Sequence, residues 1–297
     1  MLRKLIFALC LLVMGCGPAS EPSPARPAGL KIVCTTTMIT DLVQRLAQPD
    51  AQVVGLMGAG VDPHFYKASA SDVAKLQQAD LVFYNGLHLE GKMTEVFEGV
   101  KKTRPVVAVT DRIPKDKLLV HQGTPDPHVW FDVSLWAMCV EPVATALIAR
   151  DPQHAEEYTR RAKALTEELA ALDSWCKTEL ATVPAPRRIV VTSHDAFSYF
   201  GRAYGYEVVG LQGISTVTEA GISDVTKLVD FIKRKKVPAI FVESSVPRAA
   251  IDRVSQDSGA KVGGTLFSDA MGASGTPEGT YDGMVRANVK TIIEALR

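Results

Sequence analysis

The chain has 297 residues, of which 46% are hydrophobic and 22% are charged, and its formal net charge at pH 7 is zero. This balance excludes a disordered chain, and it lacks the surplus of lysine and arginine that nucleic-acid binding requires, so no nucleic-acid partner is expected. The length and the apolar content are sufficient for two globular domains.

The N-terminus has the pattern of a bacterial lipoprotein signal. Two basic residues precede an apolar run over residues 5–14, which is too short to span a bilayer as a helix. Gly15 and Cys16 follow, which predicts a signal peptide over residues 1–15 and lipidation of Cys16. An ordinary cleaved signal with an incidental cysteine is the alternative. We expect an exported protein that faces the periplasm or the cell exterior, anchored to the membrane by its lipid.

The next residues and the remaining cysteines indicate a tether followed by a body without disulfides. Residues 16–29 contain four prolines and almost no large apolar side chain, which predicts an extended tether. Three cysteines remain beyond it, Cys34, Cys139 and Cys176. Their odd number and wide spacing favour neither a complete disulfide framework nor a thiolate metal site, so we expect buried, small apolar residues.

Strands and helices alternate in the first part of the body, residues 30–151, which we call the first lobe. Apolar runs predict strands at residues 30–35, 51–57, 80–84 and 105–109. Helical patterns lie between them at residues 39–47, 71–78 and 92–101. This alternation predicts a parallel sheet that is covered by helices on both faces.

The pattern then becomes mostly helical, over residues 134–182, and Asp151-Pro152 divides this segment. Beyond the division, apolar and small side chains recur at helical spacing from Tyr158 to Leu180. They predict one helix over residues 152–182, about 45 Å long at about 1.5 Å per residue. That length exceeds the size of one small domain, so we expect the helix to link two lobes.

Alternation resumes in residues 183–297, which we call the second lobe. Strands are predicted at residues 188–192, 207–211, 238–242 and 261–266, and helices at residues 196–203, 222–235, 247–258 and 279–296. The sequence therefore predicts an α/β fold with two lobes, each a parallel sheet flanked by helices, joined by one long backbone helix.

Three histidines and one aspartate lie at predicted strand ends or in the adjoining loops, where ligands bind in parallel α/β folds. His64 and His128 each follow an Asp-Pro pair, and His194 and Asp269 belong to the second lobe. Neutral imidazole and carboxylate groups suit zinc and its neighbours. A single loop histidine is more often an ordinary polar residue, and the four candidates lie far apart in sequence. Metal binding and a merely structural role therefore both remain open on spacing alone.

Four longer motifs, at residues 193–200, 211–216, 240–245 and 266–272, read SHDAFSYF, LQGIST, IFVESS and LFSDAMG. They resemble the zinc/manganese-binding lipoproteins of ABC importers, the TroA-like solute-binding family, and the resemblance extends over residues 30–297. It implies one Zn²⁺ or Mn²⁺ ion buried between the lobes as transported cargo, with His64, His128, His194 and Asp269 as its ligands. It also implies a membrane permease with its ATPase as partner and a monomeric receptor.

The identity of the metal is not decided by these residues. Three imidazoles and one carboxylate favour zinc, because manganese lies lowest in the Irving–Williams order, but relatives with the same His-Asp-Ala-Phe motif are associated with both ions. Zinc-specific members often carry a long His-rich loop, whereas residues 111–125 hold only His121. We expect His88 to be structural or cleft-lining, and His121 and His154 to lie on the surface.

A zinc hydrolase that uses the same cluster is the main alternative. Catalytic zinc keeps an open position beside three protein ligands, whereas four ligands close the site. Neither His-Glu-x-x-His nor Gly-x-Ser-x-Gly occurs in the sequence, so no enzymatic activity is expected. Glu243 is the one nearby base, and we expect it to hold a ligand imidazole by its other N–H. A third hypothesis, an adhesin, has no sequence feature in its support.

Overall fold

The computed structural model describes residues 29–297. The predicted signal peptide, Cys16 and all but the last residue of the predicted tether lie outside the described residues. The first lobe contains a parallel sheet of four strands in the order β2-β1-β3-β4. The strands are β1 (Leu30–Cys34), β2 (Ala51–Gly55), β3 (Leu81–Tyr84) and β4 (Val106–Ala108).

Three helices accompany this sheet, α1 (Thr37–Ala47), α2 (Ala70–Gln78) and α3 (Thr94–Lys101). Helix α1 begins where the Thr36 side chain accepts a hydrogen bond from the Ile39 N–H. At the start of α2, Ser69 and Asp72 form a capping box, in which each side chain accepts from the backbone N–H of the other. These polar caps fix the points at which the chain turns from strand to helix.

A short antiparallel hairpin, β5 (Val120–His121) and β6 (Thr124–Pro125), follows the first sheet. Its two turn residues, Gln122 and Gly123, have φ angles of 49° and 83°. Positive φ at both central positions is the geometry of a type I′ hairpin turn. The sequence analysis did not predict this hairpin, because two-residue strands have too few positions to show an alternating pattern.

Three helices then form the middle of the molecule, α4 (Val133–Met138), α5 (Val140–Arg150) and α6 (Ala155–Leu180). The predicted linking helix is present, but its first three residues form the short 3₁₀ helix Pro152–His154 and it ends at Leu180, two residues before the predicted end, so that α6 has 26 residues. Its buried residues repeat at helical spacing, as predicted, from Tyr158 to Leu180. At about 1.5 Å per residue, α6 is about 39 Å long.

The segment Val133–Arg150 is long and apolar enough to cross a membrane by length and composition alone. Half of it is buried inside the fold, and both of its helices pack against α6. These contacts are those of core helices, which meet the same criterion without a membrane.

The second lobe contains two parallel strand pairs, β7-β8 and β10-β9. Its strands are β7 (Ile189–His194), β8 (Glu207–Gln212), β9 (Ala239–Glu243) and β10 (Lys261–Leu266), and its helices are α7 (Ser198–Tyr204), α8 (Ile222–Lys235), α9 (Ala249–Ser258) and α10 (Tyr281–Leu296). Strand β7 lies against β9. Where these strands end, the His194 N–H donates to the Glu243 carboxylate instead of to a strand carbonyl. The predicted α/β architecture is confirmed.

One large apolar cluster extends through both lobes and along α6. Two smaller clusters each belong to a single lobe. Polar contacts reinforce the shared core, since the Tyr281 hydroxyl donates to the Trp130 carbonyl at 2.6 Å and the Trp130 indole donates to the Ser268 carbonyl at 3.0 Å. The free cysteines of the described chain, Cys34, Cys139 and Cys176, are buried as predicted.

Candidate metal centre

The structure brings the four predicted ligands together between the lobes. His64 lies in the loop between β2 and α2, and His128 directly precedes the 3₁₀ helix Val129–Phe131. His194 is the last residue of β7, two residues beyond the predicted end of this strand, and Asp269 lies in the loop after β10. One ligand atom from each of the four lies within 4.8 Å of all the others, and all four residues are buried.

The donor atoms are spaced as the ligands of one small ion. The Nε2 atoms of His64 and His128 are 3.3 Å apart. Asp269 places Oδ1 3.4 Å from Nε2 of His128 and Oδ2 3.3 Å from Nε2 of His194. Metal bonds of about 2.0–2.1 Å in tetrahedral geometry separate ligand atoms by about 3.3 Å. The arrangement therefore fits a single ion bound by both lobes.

The repeated Asp-Pro-His sequence forms the same local turn at both first-lobe histidines. Asp62 Oδ1 accepts from the His64 N–H at 2.8 Å, and Asp126 Oδ1 accepts from the His128 N–H at 3.0 Å. Aspartate side chains commonly bond the backbone two residues further on, and the intervening proline restricts the chain between them. Each histidine is therefore aimed by the aspartate before it.

The two aspartates then differ in their second contact. Asp126 Oδ1 also lies 2.7 Å from Nδ1 of His128, which favours a proton on Nδ1, so that Nε2 is the nitrogen that can bind a metal once it is unprotonated. Asp62 instead accepts from the Thr216 hydroxyl of the second lobe through Oδ2, at 2.7 Å. The turn that aims His64 is thus bonded across the lobes.

Glu243 supports His194 from the end of β9. Its Oε1 accepts from the His194 N–H at 2.8 Å, and its Oε2 lies 2.6 Å from the ring Nδ1. Both side chains are completely buried. This is the position expected from the sequence, and it orients the ring so that Nε2 points to Asp269.

The pKa values of the second-lobe pair are shifted in opposite directions. Burial by itself would raise the pKa of Asp269, but the charge of His194 and further imidazole contacts hold it well below its usual range. Burial would lower the pKa of His194, but the charges of Glu243 and Asp269 hold it well above the usual value. The pair thus favours a carboxylate that is ready to bind a cation.

The two first-lobe histidines differ from each other. Burial lowers the pKa of His64 to about 4, so its imidazole is neutral at physiological pH. Burial acts in the same direction on His128, but the Asp126 charge and hydrogen bond outweigh it and raise the pKa to about 9. Since a metal binds only the unprotonated ring, ion binding must displace a proton from His128.

Asp269 presents both of its carboxylate oxygens to the centre. Among residues 29–297, no donor forms a well-shaped hydrogen bond to either of its oxygens, although the carboxylate is completely buried. A buried charge costs on the order of several kcal/mol unless it is paired, and the neighbouring imidazoles are the groups that pair with Asp269. A carboxylate that binds a metal needs oxygens that are not already used by hydrogen bonds. Both Asp269 oxygens meet this condition, and each is directed toward a ligand imidazole.

The remaining histidines lie outside this cluster. His88 lines a cleft of about 470 Å³ beside His64, in agreement with the expected cleft-lining role. His154 is partly exposed and bonds Asp151. His121 is also partly exposed, but it lines the same cleft, which the expectation of an ordinary surface residue missed.

Comparison with known proteins gives consistent results. The family model described as zinc-uptake complex component A, periplasmic (ZnuA), matches residues 32–295. The zinc-binding protein TroA of Treponema pallidum is 45% identical, with 100% of this chain and 99% of TroA covered. The manganese-binding lipoprotein MntA of Bacillus subtilis is 43% identical, with 100% of this chain and 99% of MntA covered.

The solved structures agree with this result. The structure of the periplasmic zinc-binding protein TroA from Treponema pallidum matches with a TM-score of 0.89 at 47% identity, covering 91% of this chain and 99% of that one. These relatives are metal-binding transport proteins and not enzymes. The predicted family is thereby confirmed and the hydrolase alternative is set aside. The chain belongs to the ZnuA family, the TroA-like metal-binding receptors of ABC importers.

Proposed function

We propose that this receptor binds one divalent transition-metal ion through His64, His128, His194 and Asp269, and passes it to the permease and ATPase of an ABC importer. The observation that carries this proposal is the convergence of four buried donor atoms from two lobes within 4.8 Å. Glu243 and Asp126 act by orienting the ligand rings. The division into a first lobe, a linking helix over residues 152–182 and a second lobe belongs to the same proposal.

Zinc is the ion we favour. Three imidazole nitrogens and a carboxylate form a donor set that zinc prefers intrinsically, and spacings of 3.3 Å and 3.4 Å suit tetrahedral geometry. Manganese is the second candidate, because Asp269 turns one oxygen toward each of two imidazoles and can bind through both, which raises the coordination number. The relatives are named for both ions, zinc for TroA and manganese for MntA.

The test is a metal titration of purified, metal-stripped protein with Zn²⁺ and Mn²⁺ in competition with a chelator of known affinity. We expect one ion per chain and tighter binding of zinc. His194→Ala and Asp269→Ala should each weaken binding at least tenfold, or about 1.4 kcal/mol. His154→Ala, a histidine outside the cluster, should bind as the unaltered protein does.

Two outcomes would contradict separate parts of the proposal. Unchanged affinity in both ligand variants would remove the assignment of the site. Tighter binding of manganese than of zinc would leave the site and overturn the choice of ion.

We further propose an exported monomer, anchored by a lipid on Cys16. A Cys16→Ser variant should leave the membrane fraction and appear in the soluble extracytoplasmic fraction, and mass spectrometry of the unaltered N-terminus should show acyl chains. Equal membrane retention of the variant would contradict the anchor, and a stable dimer in light scattering would contradict the monomer.

A further inference from the structure

A cleft of about 470 Å³ leads to the metal centre, and three of the six histidines of the chain line it, His64, His88 and His121. His64 is the one predicted ligand among its lining residues. An ion that moves through this cleft therefore meets His64 first among the four ligands. The other two histidines stand on this route without belonging to the centre.

His121 occupies a particular position on the route. It ends strand β5, beside the type I′ turn, and its side chain is 40% exposed. Its ring lies between two carboxylates: Nδ1 is 3.9 Å from Asp195 Oδ2, and Nε2 is 3.9 Å from Asp126 Oδ2. The Asp195 side chain is 20% exposed, whereas that of Asp126 is completely buried. The ring thus presents one nitrogen to an accessible carboxylate and the other to an inaccessible one.

The free oxygen of Asp126 is a second, independent sign of a cation. Asp126 uses Oδ1 for His128, while its buried Oδ2 has no hydrogen-bond partner within residues 29–297. Asp195 likewise uses Oδ1, for the Ser198 hydroxyl, and keeps Oδ2 on the side of His121. Both carboxylates also adjoin the centre, because Asp126 holds His128 and Asp195 follows His194.

The distances between His121 and the two carboxylates suit transient binding of an ion rather than tight binding. A nitrogen and an oxygen 3.9 Å apart are too distant for a hydrogen bond, but an ion with bonds of about 2.0–2.2 Å can contact both. Each pair offers only two protein ligands, so water must complete the coordination. Within the described chain, the buried centre is the one group of three or more such ligands that can close around an ion.

We propose that His121 and Asp195 form a transit site on this route, which takes up a partly hydrated divalent transition-metal ion and passes it toward His64, while the buried Asp126 adds negative charge behind the ring. The two carboxylates attract the cation, and the imidazole replaces some of its water molecules. The proposal rests on the proposed function of the buried centre, and it adds a kinetic role for residues outside the final complex.

The first experiment measures rates on the full chain with Zn²⁺ alone. In His121→Ala, stopped-flow association should slow at least fivefold, and release into excess chelator should slow by the same factor. The Kd should stay unchanged, because a site that is empty in the final complex changes the association and release rates by the same factor. His154→Ala, the matched partly exposed histidine, should keep both rates.

The outcomes separate this proposal from the function on which it rests. If the unaltered chain fails to bind one zinc ion, the buried centre itself is wrong. If it binds zinc and His121→Ala keeps its association rate, only the transit site is overturned. A changed Kd with an unchanged association rate would also overturn it, since His121 would then act on the final complex.

A second experiment detects the site at equilibrium. A chain with both His194→Ala and Asp269→Ala should retain weak binding of Mn²⁺, seen by electron paramagnetic resonance, and adding His121→Ala should abolish it. Equal binding by the double and the triple variant would overturn the transit site. Circular dichroism of each variant checks that a loss of signal does not come from unfolding.

Discussion

Replacing Glu243 with glutamine removes one negative charge from beside a ligand imidazole while keeping the shape of the side chain. Glu243 accepts from the His194 N–H at 2.8 Å, and its other oxygen lies 2.6 Å from the His194 Nδ1. When Nε2 of His194 is free to bind a metal, the backbone N–H and the Nδ1–H are both hydrogen-bond donors. A glutamine side chain has one acceptor oxygen in place of two, so it can accept from only one of these donors. Loss of such a supporting partner typically costs 10–100-fold in metal affinity, or about 1.4–2.7 kcal/mol.

The size of this loss should depend on pH, and its direction follows from the His194 pKa. Burial lowers this pKa, but the charges of Glu243 and Asp269 raise it well above the usual value. Protons therefore compete with the metal for His194 in the unaltered protein at neutral pH. The Glu243→Gln change lowers the pKa and relieves part of that competition. We expect the loss of affinity to be larger at pH 9 than at pH 6.5.

The assay is a chelator competition with Zn²⁺ at these two pH values. The matched control is Glu90→Gln, since Glu90 is also buried but bonds Thr35 and Asn85 instead of a ligand imidazole. The control should bind zinc as the unaltered chain does at both pH values. An unchanged affinity in Glu243→Gln, or a loss that is equal at both pH values, would refute the reasoning.

Three further predictions follow from the same geometry. Zinc affinity of the unaltered chain should rise from pH 6 to pH 9, with release of more than one proton per ion, because the pKa of His128 is about 9 and that of His194 is also raised. Calorimetry in buffers of different ionisation enthalpy measures the number of protons released, and an affinity that does not change with pH would contradict the prediction. Thr216→Val should weaken zinc binding up to tenfold, since Asp62 loses a hydrogen bond between the lobes worth about 0.5–1.5 kcal/mol. The control is Thr226→Val, whose hydroxyl bonds only its own helix, and equal affinities in the two variants would contradict the role of this bond. Metal removal should leave the radius of gyration from solution scattering nearly unchanged, because α6 has no proline or glycine in its interior and the lobes share a core. It should alter hydrogen exchange in the second-lobe ligand loops. A large change in the radius of gyration would rule out this rigid arrangement.

The elements that were predicted well are those with long patterns. Strand β1 is a nearly continuous apolar run because it is the buried neighbour of two other strands, and α6 repeats its apolar residues over many turns. The four ligand candidates were found at strand ends, and the family motifs joined them into one set. Their convergence required the fold, because sequence spacing carries no distances between loops.

Other features of the site were missed for physical reasons. The β5-β6 hairpin is too short to show periodicity, so His121 looked like an ordinary surface residue. The Asp-Pro-His repeat was noted as a pattern, but the role of its aspartates in aiming the histidines was missed. The available signal was the tendency of an aspartate side chain to bond the backbone N–H two residues further on. The Thr216 bond to Asp62 joins residues 154 positions apart, and no local pattern predicts such a pair.

The contacts of Trp130 have a consequence for the order in which the molecule is made. Its indole donates to the Ser268 carbonyl, 138 residues later, and its carbonyl accepts from Tyr281, 151 residues later. A ribosome finishes Trp130 long before either partner exists, so these two hydrogen bonds form only after most of the second lobe has been synthesised. The apolar core that the two lobes share is therefore complete only once α10, the last helix of the chain, has been made.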